Sequence, residues 1–151
     1  MIKEVLPVLQ AFLIQHEGWK NEIYIDSVGK RTIGVGHNID DDDSFPAQVT
    51  ALGDEEIITL LEQDMLTALD DCFSLFENYG KLPLGVKVVL ADMAFNLGRP
   101  ALSKFKKLKA AIENNDFETA AQEAYDSKWA RQVKGRATFL TNILEAHKGW
   151  V

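Results

Sequence analysis

Apolar residues recur at helical spacing over the first seventeen positions, give way to a short alternating, glycine-punctuated stretch, and then return to helical spacing. Ile2, Leu6, Leu9 and Leu13 form the first stripe, with Val5, Phe12 and His16 flanking it, and Gly18 stops the helix just after Glu17. Pro7 is expected in the first turn, where a missing N–H costs little. Residues 22–39 predict a small antiparallel sheet. Ile23, Tyr24 and Ile25 meet the turn-like Asp26-Ser27-Val28-Gly29, Thr32 opens the return strand, and Gly34 and Gly36 punctuate it. Asp40 to Pro46 reads as a loop. From Asp54 the series Ile58, Leu61, Met65, Ala68/Leu69, Cys72 and Leu75/Phe76 predicts a helix of more than five turns, broken by Gly80 to Gly85 with Pro83. Further helices are expected over about 84–97, about 103–114, from an Asp116 cap to about Ser127, and from about Gly135 to His147.

Helices with one short sheet near the start make an α+β chain. At 151 residues and 46% hydrophobic content it suits one compact unit and not a disordered one. Within a single domain, 1–151, we expect a sheet-containing lobe at about 15–55 and a connecting helix at about 56–79. Residues of about 80–151, together with the N-terminal helix, form the larger helical lobe. The apolar run Val5 to Ile14 is too short for a membrane span. It also lacks a basic leader beyond Lys3 and a small-residue cleavage site, so it reads as a core helix and not as a signal peptide or stable membrane insertion.

The net charge of −7 is unevenly spread. Residues 1–80 hold 4 Lys/Arg and 16 Asp/Glu, whereas residues 81–151 hold 12 and 7. Such asymmetry would orient an anionic polymer toward the second half, an effect that salt weakens; two solvated surfaces are the plainer alternative. With no aromatic-interleaved basic patch, nucleic acid is not an expected partner. The single Cys72 excludes an internal disulfide and, in an apolar helical pattern, predicts a buried thiol. Asp40 to Asp43 lack the glycine and the closing glutamate of a calcium loop, so no metal is expected.

The candidate chemistry lies in the first quarter of the chain. Glu17 at a helix end, Asp26 in a hairpin turn and Thr32 beside it supply two carboxylates and a hydroxyl, a workable set for acid/base hydrolysis. Taken singly, each has an ordinary structural role: helix-end solvation, turn chemistry and strand propensity. The joint pattern points to function. Glu17-Gly18, then Tyr24-x-Asp26-x-x-Gly29, then Thr32-Ile33-Gly34-x-Gly36-His37 resembles the signature of the phage-type lysozymes, glycoside hydrolase family 24. The nine-residue step from Glu17 to Asp26 and the six further residues to Thr32 match that family's spacing. Phe95-Asn96-Leu97-Gly98 and the later Ser127-Lys128-Trp129, Gln132 and Arg136-Ala137 extend the likeness over essentially the whole chain.

The resemblance implies a two-lobed lysozyme-like fold and hydrolysis of the β-1,4 bond between N-acetylmuramic acid and N-acetylglucosamine, with inversion. It makes Glu17 the general acid, Asp26 the ionised carboxylate and Thr32 the residue that positions water, with no cofactor. It places Arg136 beside Glu17, which would fix the carboxyl's orientation while favouring its anion, two effects in opposition. Tyr24 and Gly36 are expected to support the site. His37, Phe95, Asn96 and Lys128 are candidate substrate contacts, each with a structural alternative: ion pairing, core packing, helix capping and a solvated helix end. The expected partner is a peptidoglycan glycan strand. The expected setting is a monomer made in the bacterial cytoplasm and acting on the wall, with a separate membrane-permeabilising partner for release. A non-catalytic wall-binding module on the same fold, or chitinase-like action, are the alternatives.

Overall fold

The computed structural model describes residues 2–150. Among these, eight α-helices and a three-stranded antiparallel sheet make an α+β fold. Helix α1 (Ile2–Glu17) leads into β1 (Lys20–Ile25), β2 (Arg31–Gly34) and β3 (His37–Asn38), in sheet order β1-β2-β3. Tyr24 lies opposite Thr32 across the first hairpin, and Ile33 opposite His37 across the second. The chain at 50–52 returns beside β1, where Ile23 N–H donates to Thr50 and Leu52 N–H to Asn21. Helix α2 (Asp54–Leu75) then runs from contacts with β2 and β3 to contacts with α3 (Leu84–Leu97) and α4 (Arg99–Leu102). Helices α5 (Lys106–Glu113), α6 (Phe117–Tyr125), α7 (Lys128–Val133) and α8 (Gly135–Ala146) complete the helical part.

Local chemistry accounts for the boundaries. Gly18, at φ +84°, ends α1, its N–H closing on Ile14 O at 2.9 Å. At the start of α2, Glu56 accepts from Gly53 N–H at 2.9 Å, while Asp54, Glu55 and Glu56 complement the helix dipole. Asp54 also receives Trp19 Nε1 and Asn21 Nδ2, tying the sheet to the head of α2. Helix α3 is buried from Val86 to Ala94, so it forms the centre of the helical part. Helices α1, α2 and α8 pack against it. Arg99 holds α4 on α2 through Asp71 at 2.9 Å and Asp70 at 3.3 Å.

The predicted sheet at 22–39, the long helix from Asp54 and the helix at 84–97 are all present. Four expectations need correction. The core face of α1 is Val5, Leu9 and Leu13, with Ile2 left exposed, because α3 meets that side. Pro7 lies in the second turn, since the helix already runs from Ile2; burial of Val5 and Leu9 around it offsets the lost backbone bond. In α2, Ile57 and not Ile58 faces the core, where it meets Gly34. The helices expected at about 103–114 and from the Asp116 cap are present as α5 and α6, each slightly shorter, and two short helices, α4 and α7, were not foreseen. Ser127 does not end a helix; its hydroxyl accepts from Ala130 N–H and caps α7.

Cys72 is fully buried, and burial pushes its thiol up to about 12. The aspartate loop is tied down and not merely solvated: Asp40 pairs with Arg31, Asp41 with Lys30 and Asp42 with His37. Among the described residues no three His, Cys, Asp or Glu side chains converge as a metal-ligand set, and no helix is long and apolar enough to cross a membrane.

Candidate active site

Glu17 is the last residue of α1, where the Gly18 stop holds its backbone. Its carboxyl is only partly exposed, and Oε2 accepts from Arg136 Nη1 at 2.6 Å. Arg136, in the first turn of α8, is itself largely buried. The other oxygen, Oε1, faces the tight β2–β3 turn. A Cβ added at Gly36 would lie 2.6 Å from it, and Gly36 adopts φ +64°. Glycine is therefore required at 36 both for backbone conformation and for room beside this carboxyl.

Asp26 occupies the β1–β2 turn that its sequence context predicts. Its Oδ1 accepts from Val28 N–H at 3.0 Å and Lys30 N–H at 2.8 Å, an arrangement that favours the anion. Among the described residues Oδ2 has no protein donor. Thr32 is buried, at 3% exposure, and its hydroxyl donates to Lys30 O at 3.0 Å. The Thr32 proton is thus committed to the backbone, and the oxygen's lone pairs remain available to a water.

Tyr24 of β1 lies within the electrostatic reach of both carboxylates. Burial raises its phenol above the ordinary range, and the charges of Glu17 and then Asp26 raise it further, so one ring feels both.

A cleft of about 430 Å³ is bordered by Gly36, the turn residue that faces Glu17, but Glu17, Asp26 and Thr32 are not among its lining residues. Gly36 and His37 form its sheet wall, Asp64 and Ala68 of α2 its floor, and Ala94 and Phe95 of α3 the opposite wall. Phe95 is half-buried there. His37 lines the cleft with both nitrogens engaged, Nδ1 to Asp64 at 2.7 Å and Nε2 to Asp42 at 2.8 Å. Burial opposes its charge, but Asp64 and then Asp42 outweigh that, and its pKa lies above 6.5. Its polar contacts are spent on structure, leaving the ring to face the cleft.

The remaining candidates lie elsewhere. Asn96 is exposed at the end of α3 and accepts Trp129 Nε1 at 2.7 Å, while Trp129 packs in the core. Exposed Lys128 lines a separate groove of about 810 Å³ with Lys104, Lys106 and Lys107. The structure therefore divides the four expected substrate contacts: His37 and Phe95 border the cleft, Lys128 the basic groove, and Asn96 joins the latter through Trp129.

The sequence reading overlooked Asp92. It is completely buried in α3, with Oδ1 accepting from Arg136 Nε and Oδ2 from His16 Nδ1, each at 2.8 Å. One acidic residue inside the otherwise apolar run Val88 to Phe95 was the available signal.

A protein-family model described as phage lysozyme matches residues 14–143. The chain is 28% identical over 158 aligned residues to "Probable T4-type lysozyme 2" of Dictyostelium discoideum, covering 91% of this chain and 93% of that one. It is 29% identical over 156 residues to the pre-baseplate central spike protein Gp5 of Enterobacteria phage T4, covering 87% of this chain and 26% of that one. Peptidoglycan hydrolase gp36 of Pseudomonas phage phiKMV is 26% identical over 135 residues, covering 89% of this chain and 15% of that protein.

Proposed function

The chain belongs to the phage lysozyme family and is a peptidoglycan hydrolase; from that premise we propose that Glu17, Asp26 and Thr32 carry the reaction. The observation that supports this assignment is complementary. Each carboxylate has one oxygen tied down, Glu17 by Arg136 and Asp26 by the turn, and one left over. Glu17 Oε1 gives its proton to the glycosidic oxygen as the bond to the anomeric carbon breaks. A water resting on Thr32 and on Asp26 Oδ2 gives its proton to Asp26 and attacks that carbon from the opposite face. The sugar configuration inverts, and both protons are accounted for without a cofactor.

The bond cleaved is the β-1,4 link between N-acetylmuramic acid and N-acetylglucosamine. The two-lobed division (about 15–55, 56–79 and 80–151 with the N-terminal helix) gives the strand a path, with His37 and Phe95 along the cleft and Asn96 and Lys128 beyond it. The same proposal has the protein acting as a monomer at the cell wall, made in the bacterial cytoplasm and released through a separate membrane-permeabilising partner. The test is Glu17→Gln, assayed by muropeptide release from purified sacculi and from chitin. The variant should keep the wild-type melting temperature and lose at least about 100-fold in rate, the scale of a missing general acid. Undiminished release from sacculi by Glu17→Gln would refute the acid assignment. Faster cleavage of chitin than of sacculi by the wild type would refute the bond assignment.

A further inference from the structure

Behind Glu17 the structure holds a chain of charges that the hydrolytic reaction does not itself use. Arg136 is oriented by two carboxylates: Asp92 on Nε at 2.8 Å and Glu17 on Nη1 at 2.6 Å. Its third nitrogen, Nη2, is buried and has no partner among the described residues. The guanidinium is therefore located by those two carboxylates alone. Asp92 is in turn held by His16, the neighbour of Glu17 on α1. The titratable groups around Arg136 are thus Glu17 and His16 from α1 and Asp92 from α3, with Tyr24 of β1 beyond Glu17.

A carboxylate with no exposure in the most apolar helix is costly to bury, and an apolar residue would suit α3 better for packing alone. Its retention makes sense through Arg136. A general acid must be oriented and must also release a proton. A guanidinium whose whole charge faced Glu17 would hold that carboxyl as an anion. With Asp92 on the other edge, the cation has a second counter-charge. We propose that Asp92 is a positioning residue: it shares Arg136 with Glu17, so the guanidinium orients the acid without claiming it as its sole counter-ion. This rests on Glu17 being the acid.

The test is the pH–rate profile on purified sacculi over about pH 4 to 9, for wild type, Asp92→Asn and Asp92→Glu. In Asp92→Asn the full guanidinium charge falls on Glu17, and the alkaline limb should move to lower pH by about half a unit or more. Asp92→Glu restores the charge and should return the limb to its wild-type position. A profile for Asp92→Asn that is scaled down evenly, with its limb unmoved, overturns the proposal. Should Asp92→Asn not fold, Asp92→Asn/Arg136→Gln removes both charges and is compared with Arg136→Gln alone. With no cation to share, those two profiles should coincide in shape; a limb that still moves overturns the proposal. An inactive Glu17→Gln beside an unmoved Asp92→Asn limb sinks this inference alone, whereas an active Glu17→Gln sinks the acid assignment beneath it.

Discussion

Replacing Gly36 by alanine tests the geometry around Glu17 without altering any charged group. The added Cβ would lie 2.6 Å from Glu17 Oε1, 2.8 Å from Cδ and 2.9 Å from Cγ. To regain an ordinary contact of 3.4 Å the carboxyl must retreat by about 0.8 Å, against a 2.6 Å bond to Arg136 that holds it forward. A displacement near 1 Å at a reacting group costs about 100-fold in rate. The backbone adds its own penalty, since φ +64° costs a residue with a Cβ about 1–2 kcal/mol. In a chain this long that lowers the melting temperature by about 2–8 °C. Gly34→Ala is the control, because Gly34 has φ +67° but its added Cβ would meet Ile57 at 3.3 Å and not Glu17. Sacculus hydrolysis and thermal melting by circular dichroism should show both variants destabilised to a similar degree and only Gly36→Ala slow. Equal activities for the two at equal stability would refute the placement of the acid against this turn.

Two further outcomes follow from buried groups. Asp64 and Asp42 favour the cation of His37 over the opposing effect of burial, so its folded pKa lies above its ordinary 6.5. The stability it adds is complete below 6.5 and fades as pH rises through the folded value. Urea denaturation over about pH 5 to 9 should show the gap between wild type and His37→Asn shrinking as pH rises, and a constant gap would count against the ion pairs. Cys72, its thiol pushed up to about 12 by burial, should not react with a thiol reagent in the native protein at about pH 8, and should react fully once unfolded.

Much of this fold was legible because its longer elements carry local punctuation. Pro83 and Gly98 bracket α3, and the acidic turn at Asp54 to Glu56 opens α2, so both were readable to within a residue or two. Helices α4 and α7 were not, since four and six residues complete too few turns to show a period. Ser127 illustrates the ambiguity: a residue that favours caps marks the end of one helix and the start of the next equally well. The local settings of Glu17 and Asp26, a helix end and a turn, were legible from the stop and the turn signals beside them. The partnerships of His16, Asp64 and Asp92 had no such marker. Periodicity tells which face of a helix turns inward, not which atoms meet across 44 or 76 residues of chain.

The bond from Arg136 to Glu17 joins residues 119 positions apart. The residues proposed to handle protons all come from α1 and the β1–β2 hairpin, whereas the cation that orients the first of them comes from α8. Loosening α8 alone would therefore remove the partner of Glu17 without touching the helix that carries Glu17.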